Sequence, residues 1–249
     1  MTADLLPAAF PWLLFALAFV AGGSVKGALG VGLPLVAMPL LSLGIPTVQA
    51  IALLAIPVLL SNLLQAAEGA RPVHTLRRFG ALIAAQFVAT AVTVRLTLAL
   101  APAQLANLVA LAVLLAVVLM ALRPTLHVDP ARERAVGIGV GLLSGLLGGV
   151  SALMGPVVIT YLVALRLKRD EFVGSISVIY LAGALPLYGT MALHGRIGAP
   201  ELPLSTLALA PMAAGLWLGR AVRRHLDETL FRRILLAFLT LLAVLLLLK

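Results

Sequence analysis

Two glycine-rich stretches carry the residue types best suited to chemistry in this chain. The first, GGSVKGALGVGLP, runs from Gly22 to Pro34, and the second runs from Gly137 to Pro156. Glycine lets the backbone approach a ligand closely, and proline ends or bends a helix because it has no amide proton. Each stretch predicts a discontinuous helix whose free N–H groups face an anion. The alternative is close helix packing through small residues, which is common in membranes.

Lys26 is the most informative single residue, because it lies within the first glycine-rich stretch and follows a long apolar run. A buried ammonium group is costly and needs a partner. The acidic residues all lie in predicted loops or at segment ends: Asp4, Glu68, Asp129, Glu133, Asp170, Glu171, Glu201, Asp227 and Glu228. A transported anion would then supply the negative charge. The alternative is that the first segment ends near residue 23 and Lys26 reaches the cytoplasmic interface.

Neutral polar side chains could complete a pocket for an oxyanion. Ser24 and Asn62 lie in the first half of the chain, and Ser151, Ser177 and Tyr180 lie in the second half. Ser177 and Tyr180 are three positions apart, so they share one helix face. Hydroxyl and amide donors suit an anion that must be held and then released. Hydrogen bonding between helices is an equally good explanation for each residue taken singly.

Motifs for catalysis or metal binding are absent from the sequence. There is no HExxH, no GxSxG and no GxxxxGK[ST] loop. The chain has no cysteine, which excludes disulfides and thiolate chemistry. Its four histidines (His74, His127, His194 and His225) lie in loops, so a proton relay inside the membrane is not expected. Glu68 and Glu171, near segment ends, remain candidates for proton coupling. We therefore expect no enzymatic activity, no metal and no cofactor.

The elements that must position these residues are membrane helices. Of the 249 residues, 62% are hydrophobic and 11% are charged, which is far too apolar for a soluble domain. Continuous apolar runs argue against a membrane β-barrel, whose strands alternate. We predict about ten hydrophobic segments, with the second and seventh short enough to be half-helices or re-entrant pieces. Their extents are 8–23, 28–43, 47–65, 78–100, 104–122, 135–150, 153–166, 171–192, 202–219 and 230–248.

The net charge of +9 comes mainly from the loops. Loops 66–78, 123–134, 166–171 and 220–229 are basic, whereas those on the opposite face are nearly free of Lys and Arg. The positive-inside rule places the basic loops in the cytoplasm and both termini in the periplasm. The charge therefore needs no nucleic-acid partner, and the bilayer is the expected surroundings of the chain.

An internal repeat divides the chain into two halves. GALGVGLPLVAMP, from Gly27, resembles GLLGGVSALMGP, from Gly145. Because each half holds five segments, the second half must enter the membrane from the opposite side. The predicted fold is therefore an all-α polytopic membrane protein with two inverted-topology repeats. Residues 1–122 form the first repeat, 123–134 a cytoplasmic linker and 135–249 the second repeat.

Three stretches, in order, resemble the TauE/SafE family, also called the sulfite exporter or TSUP family. They are GALGVGLPLVAMPLLSLGIPTVQAIA, GLLSGLLGGVSALMGPVVITYLVAL and the ending PMAAGLWLGRAVRRHLDETLFRRILLAFLTLLAVLLL. The resemblance implies transport of a small sulfur-containing anion across the bacterial inner membrane. It also places the ligand at the glycine-rich breaks. With the polar residues above, the expected substrate-binding set is Ser24, Lys26, Gly27, Gly30, Gly32, Asn62, Gly145, Gly148, Gly149, Ser151, Ser177 and Tyr180.

The function predicted on this basis is a secondary transporter, most simply an exporter. Its substrate would be sulfite, sulfoacetate or another organosulfonate, moved by alternating access as the two halves rock. Residues 22–34 and 144–156 would meet near the membrane midplane. Two other functions remain open: an anion channel of the same fold, and a non-transporting membrane scaffold or assembly protein. The oligomeric state is left open.

Overall fold

A computed structural model describes residues 12–69, 72–121, 128–167, 169–222 and 228–248. These parts of the chain form helices and contain no β-strand. A short 3-10 turn, Pro130–Arg132, precedes α7. The helices are α1 (Trp12–Leu29), α2 (Leu33–Gly44), α3 (Thr47–Leu53), α4 (Ala55–Gly69), α5 (Pro72–Thr97), α6 (Pro102–Ala121), α7 (Glu133–Ser151), α8 (Gly155–Ala164), α9 (Arg169–Leu193), α10 (Glu201–Leu207), α11 (Leu209–Val222) and α12 (Glu228–Leu247).

Seven helical stretches in the described residues are long and apolar enough to cross a membrane. Three shorter apolar helices are Leu33–Gly44, Gly155–Ala164 and Arg233–Leu247. Large apolar side chains such as Val88, Val92, Leu111 and Leu142 lie exposed on the outer faces of α5, α6 and α7. Contact of such apolar surfaces with water is unfavourable, whereas contact with lipid tails is not. The outer surface of the described helices is therefore suited to a bilayer. The chain is a multi-pass membrane protein.

The short second and seventh segments are present as α2 and α8, but the first segment is longer than expected. We predicted its end at residue 23, whereas α1 continues to Leu29. The helix continues through Gly22, Gly23 and Gly27 because packing against a neighbour stabilises it despite the low helix propensity of glycine. Residues 8–11 of the predicted first segment lie outside the described part of the chain.

The third segment is divided into α3 and α4, and a proline explains the division. Pro57 has no N–H to donate, and its ring would clash with the carbonyl of Leu53 in a regular helix. Ser205 of α10 satisfies the groups left free at this point. Its Oγ donates to the Leu53 carbonyl oxygen (2.9 Å) and accepts from the Ile56 amide (3.0 Å). Ser205 is almost fully buried, and it is not among the residues selected from the sequence.

Helices α1 and α11 pack backbone to backbone through glycines. A Cβ at Gly23 would overlap the Met212 carbonyl oxygen, and one at Gly219 would overlap that of Ser24. Helices α5 and α7 meet in the same way, with Gly141 against the Leu82 carbonyl and Gly145 against that of Gln86. Small residues allow this close approach, which is a main source of helix association in membranes.

The interior divides into two apolar clusters. The larger one joins α1, α2, α3, α6 and α12, and its fully buried members include Phe19, Met38 and Leu41. The smaller one joins α5, α8 and α9 through Phe79, Leu162 and other buried side chains. Both clusters border the cavity described below, so they set the positions of its walls.

Arg78 connects three helices next to the smaller cluster. Its guanidinium group binds Glu133 of α7 through Nε and Nη2 (2.7 and 3.1 Å) and Glu171 of α9 through Nη1 (2.8 Å). All three side chains are partly exposed, so each ion pair contributes about 0–1 kcal/mol to stability. The fork of the guanidinium group fixes the relative orientation of α5, α7 and α9 more than it adds free energy.

Candidate functional site

The two glycine-rich stretches are interrupted at matching places. Between α1 and α2 the backbone turns left-handed at Gly30 (φ 81°) and Gly32 (φ 105°), where a side chain would be strained. Between α7 and α8 the residue with a positive φ is Ala152 (59°). Helices α2 and α8 then begin with Pro34 and Pro156 in their first turn, where a missing N–H is tolerated. Each stretch therefore ends one helix and begins another.

One cavity lies where these two interruptions meet. Its wall includes residues 31–35 from the first interruption and residues 152–156 from the second, with contributions from α1, α4, α6 and α9. The space open to the centres of water molecules is about 50 Å³, and one water needs only about 10–15 Å³ on that measure. An anion of a few heavy atoms therefore fits. The N-terminal turns of α2 and α8 both border this space, and their free N–H groups favour negative charge.

Lys26 is the charged residue at this cavity. Its side chain is 6% exposed, and it is the only charged side chain that is buried in the described part of the chain. The Nζ atom donates a 2.6 Å hydrogen bond to Oδ1 of Asn62 on α4. Asn62 is neutral, and none of the described residues lining the cavity is acidic. Among the described residues, the positive charge of an ammonium group here therefore has no counter-ion.

Asn62 lies beside a second polar contact that holds the first interruption in place. Gln65, one helical turn further along α4, donates from Nε2 to the carbonyl oxygen of Gly30 (3.0 Å). That carbonyl would otherwise lack a partner where the helix ends. The two polar side chains on this face of α4 therefore hold the end of the first glycine-rich stretch. Asn62 binds the side chain of Lys26, and Gln65 binds the backbone of Gly30.

Two tyrosine hydroxyls complete the polar part of the wall. Tyr180 and Tyr188 lie on α9, eight residues apart and on the same face as Ala184, which also lines the cavity. Both hydroxyl groups are buried, and neither has a hydrogen-bond partner in the described part of the chain. A phenol can donate to an anion, so each is available to a ligand. Tyr180 belongs to the set expected from the sequence and Tyr188 does not, although its spacing of eight residues from Tyr180 on one helix was an available signal.

The expected substrate-binding residues divide into two groups. Lys26, Gly32, Asn62 and Tyr180 line the cavity. The remaining eight do not: Ser24, Gly27, Gly30, Gly145, Gly148, Gly149, Ser151 and Ser177. For Gly27, Gly145 and Gly149 the contacts favour the packing alternative, since a Cβ would overlap Leu216, Ala89 or Thr93, respectively. Gly148 packs against the side chain of Met154, and the Gly30 carbonyl accepts from Gln65.

The three serines of the expected set direct their hydroxyls into their own helices. Ser24 donates to the Val20 carbonyl (2.8 Å), Ser151 to Leu147 (2.7 Å) and Ser177 to Val173 (2.8 Å). Each donor is thus already used by the carbonyl four residues earlier, a common arrangement for serine in a membrane helix. The geometry gives these hydroxyls no contact with the cavity.

The comparison with family models decides the class of this molecule. The model for sulfite exporter TauE/SafE matches residues 14–246, which is nearly the whole chain. The chain belongs to the TauE/SafE family. No match to it is found among the curated proteins or among the solved structures. The resemblance identified from the three sequence stretches is confirmed.

Membership in a family described as sulfite exporters directs attention to the groups around the two interruptions. In this TauE/SafE protein they combine a buried lysine, an amide, two phenols and the N-termini of two short helices around one small space. That set of groups offers donors and positive charge but no nucleophile paired with a base. It suits the binding of an anion rather than its chemical conversion.

Proposed function

We propose that this TauE/SafE protein is a secondary transporter of a small sulfur-containing anion. Sulfite, sulfoacetate and related organosulfonates are the candidate substrates, and export across the bacterial inner membrane is the expected direction. The observation that carries the proposal is Lys26, buried beside the cavity with the neutral Asn62 as its partner. An anion in the cavity would pair with the ammonium group and remove the cost of burying an isolated charge.

The charge of the cavity favours a substrate with one negative charge. Lys26 contributes one positive charge, and each helix N-terminus contributes about half a charge that acts only over its first turn. The rest of the wall is mostly apolar, with side chains such as Val31, Leu153 and Ile159. A monoanion with a small apolar part, such as a sulfonate, would satisfy both the donors and the apolar wall.

Alternating access requires two halves that can move against each other, and the helix pairing supports this arrangement. If residues 1–122 and 135–249 are inverted repeats, α1 corresponds to α7 and α11 corresponds to α5. The two closest packed pairs, α1 with α11 and α5 with α7, are then exchanged by the repeat. Each pair joins one half to the other, and both halves contribute to the cavity. Rocking of the pairs would open the cavity first to one side and then to the other. We place both termini in the periplasm.

Purified protein in liposomes should move the proposed substrate. We expect saturable uptake of sulfite or sulfoacetate into proteoliposomes and none into empty liposomes, because a carrier binds one substrate per cycle. Sulfate and simple carboxylates are the competitors that test selectivity. Flux that rises linearly with concentration at rates far above those of a carrier would indicate an anion channel instead. No flux of any tested anion would contradict the transporter and leave a scaffold function.

The two cavity tyrosines should contribute to affinity but not to stability. Removing one hydroxyl by Tyr180→Phe or Tyr188→Phe should weaken anion binding about 3–10-fold, which corresponds to the loss of one hydrogen bond. Tyr161→Phe is the matched control, because that hydroxyl donates to the Glu133 carbonyl oxygen (3.0 Å) outside the cavity. It should lower the melting temperature and leave affinity unchanged. Calorimetric titration and thermal unfolding measure the two effects, and unchanged affinity in both cavity variants would remove the tyrosines from the site.

A further inference from the structure

A buried amide lies behind one wall of the cavity. Gln86 of α5 is fully buried, and neither its Nε2 nor its Oε1 has a hydrogen-bond partner in the described part of the chain. A primary amide can make up to four hydrogen bonds, and leaving them unmade in an apolar interior costs free energy. Gln86 lies near the middle of α5, which is long and apolar enough to cross a membrane, and lipid offers no water to replace the missing hydrogen bonds.

Met154 lies close both to this amide and to the cavity. The methionine lines the cavity itself. A Cβ built at Gly183 of α9 would overlap the Met154 Sδ atom and lie 2.8 Å from Nε2 of Gln86. The thioether and the amide therefore approach the same point, and only the absence of a side chain at Gly183 leaves room for both. Methionine is unbranched and has three rotatable side-chain bonds, and the cavity that Met154 lines gives it space for another rotamer.

The backbone of α5 at Gln86 has little room to shift and bring the side-chain amide to a hydrogen-bond partner. Helix α7 packs tightly on this turn of α5, with Gly141 against the Gln86 amide nitrogen and Gly145 against its carbonyl oxygen. A leucine of similar volume would fill the same space without unpaired polar atoms, and such a replacement is often neutral or stabilising. A buried, unpaired amide close to a cavity breaks a packing rule without a compensating contact, and such exceptions are expected at functional sites.

We propose that Gln86 is a substrate-binding residue of this transporter, hidden behind Met154 in the present conformation. When Met154 rotates, the Nε2 donors of Gln86 reach an oxygen of the anion bound near Lys26. The inference rests on the proposed function and deepens it, because it adds a donor on α5 to those on α1, α4 and α9. It also assigns a role to Met154, whose side chain would cover the Gln86 amide until it rotates.

The experiment compares Gln86→Leu and Gln86→Asn with the wild type in two assays. Thermal unfolding without ligand reports the fold, and uptake of sulfite and sulfoacetate into proteoliposomes reports the site. We expect Gln86→Leu to melt at the same temperature as the wild type or higher. We expect its transport efficiency to fall about ten-fold or more, the effect of losing a hydrogen bond to a charged group. Gln86→Asn keeps the amide on a shorter side chain, so its transport efficiency should lie between those of Gln86→Leu and the wild type. Gln104→Leu is the control for a glutamine far from the cavity: its Oε1 accepts from the Ala101 amide at the exposed start of α6 (3.1 Å), so the variant should lose only this local contact and transport normally.

Each outcome decides the inference. Wild-type transport efficiency in Gln86→Leu would overturn the role of Gln86 and leave the proposed transporter intact. A lower melting temperature with a proportional loss of active protein would make Gln86 structural and overturn the inference as well. Absence of flux in the wild type would contradict the proposed function, and the role of Gln86 would fall with it. Only a stable protein with impaired transport supports the inference.

Discussion

Replacing Lys26 by methionine should abolish anion transport while leaving the empty protein at least as stable as the wild type. The ammonium group is buried, and its hydrogen bond to Asn62 supplies no opposite charge. Methionine has a similar length and no charge, so the cost of burying an ion disappears. Loss of a charge pair with the substrate should cost about 2–5 kcal/mol of binding, or roughly a 30- to 5,000-fold decrease in affinity. Proteoliposome flux and thermal unfolding measure the two effects.

Two further variants separate the local charge of Lys26 from the net charge of the protein. Lys26→Arg keeps the charge but is larger and planar, so partial transport is expected. Arg95→Met removes one positive charge from the exposed end of α5 and should transport as the wild type does. Full transport by Lys26→Met would contradict the anion site at this cavity. A Lys26→Met protein that fails to fold would instead show that the charge has a structural partner.

Alanine at Gly141 should destabilise the protein, whereas alanine at Gly139, on the same helix, should stabilise it. A Cβ at Gly141 would overlap the Leu82 carbonyl oxygen and approach the Ala85 Cβ at 3.0 Å. Since backbone cannot rotate away as a side chain can, α5 and α7 must separate, and overpacking of this kind costs about 1–3 kcal/mol. Nothing lies within 4 Å of a Cβ at Gly139, so only the better helix propensity of alanine remains, about 1 kcal/mol.

Thermal unfolding of the two purified variants tests this difference in sign. The two positions share a helix, a residue type and a substitution, so differences in expression or detergent cancel. Equal melting temperatures would show that α5 and α7 do not meet at Gly141. The same comparison applies to transport, because this interface joins the two halves that we propose to move. A variant with altered flux but normal stability would place the interface in the transport cycle.

The sequence identified the elements of the fold better than their ends. Hydropathy predicted an all-helical protein with several membrane-spanning helices, because the length of an apolar run is a local property that the bilayer selects. The arrangement of ten segments in two inverted repeats stays a prediction. The predicted end of the first segment, residue 23, was wrong. Helix α1 continues to Leu29, because contact with the backbone of α11 stabilises glycines that are unfavourable in an isolated helix. The split between α3 and α4 was also missed, although Pro57 was visible. The backbone groups that are left free near Pro57 are satisfied by Ser205, a residue almost 150 positions further along the chain.

The candidate site was only partly predictable for the same reason. Lys26, Asn62 and Tyr180 could be selected because charge, amide and phenol groups are rare in an apolar chain. The role of the serines stays a prediction, and the sequence does not reveal that the hydroxyls of Ser24 and Ser151 donate to their own helices. Glycine is ambiguous by nature: Gly32 lines the cavity, whereas Gly27 lies against the backbone of α11. Only the position of the neighbouring helix distinguishes the two uses.

Composition and order along the chain by themselves determined a multi-pass helical membrane protein, its family and the two places where helices are interrupted. These properties follow from local rules: apolar length, the behaviour of glycine and proline, and motifs in series. The tertiary structure decided which residues face the cavity, because that depends on helix rotation and on partners distant in sequence. The contact of Lys26 with Asn62, the position of Tyr188 and the unpaired amide of Gln86 all arise from packing between helices.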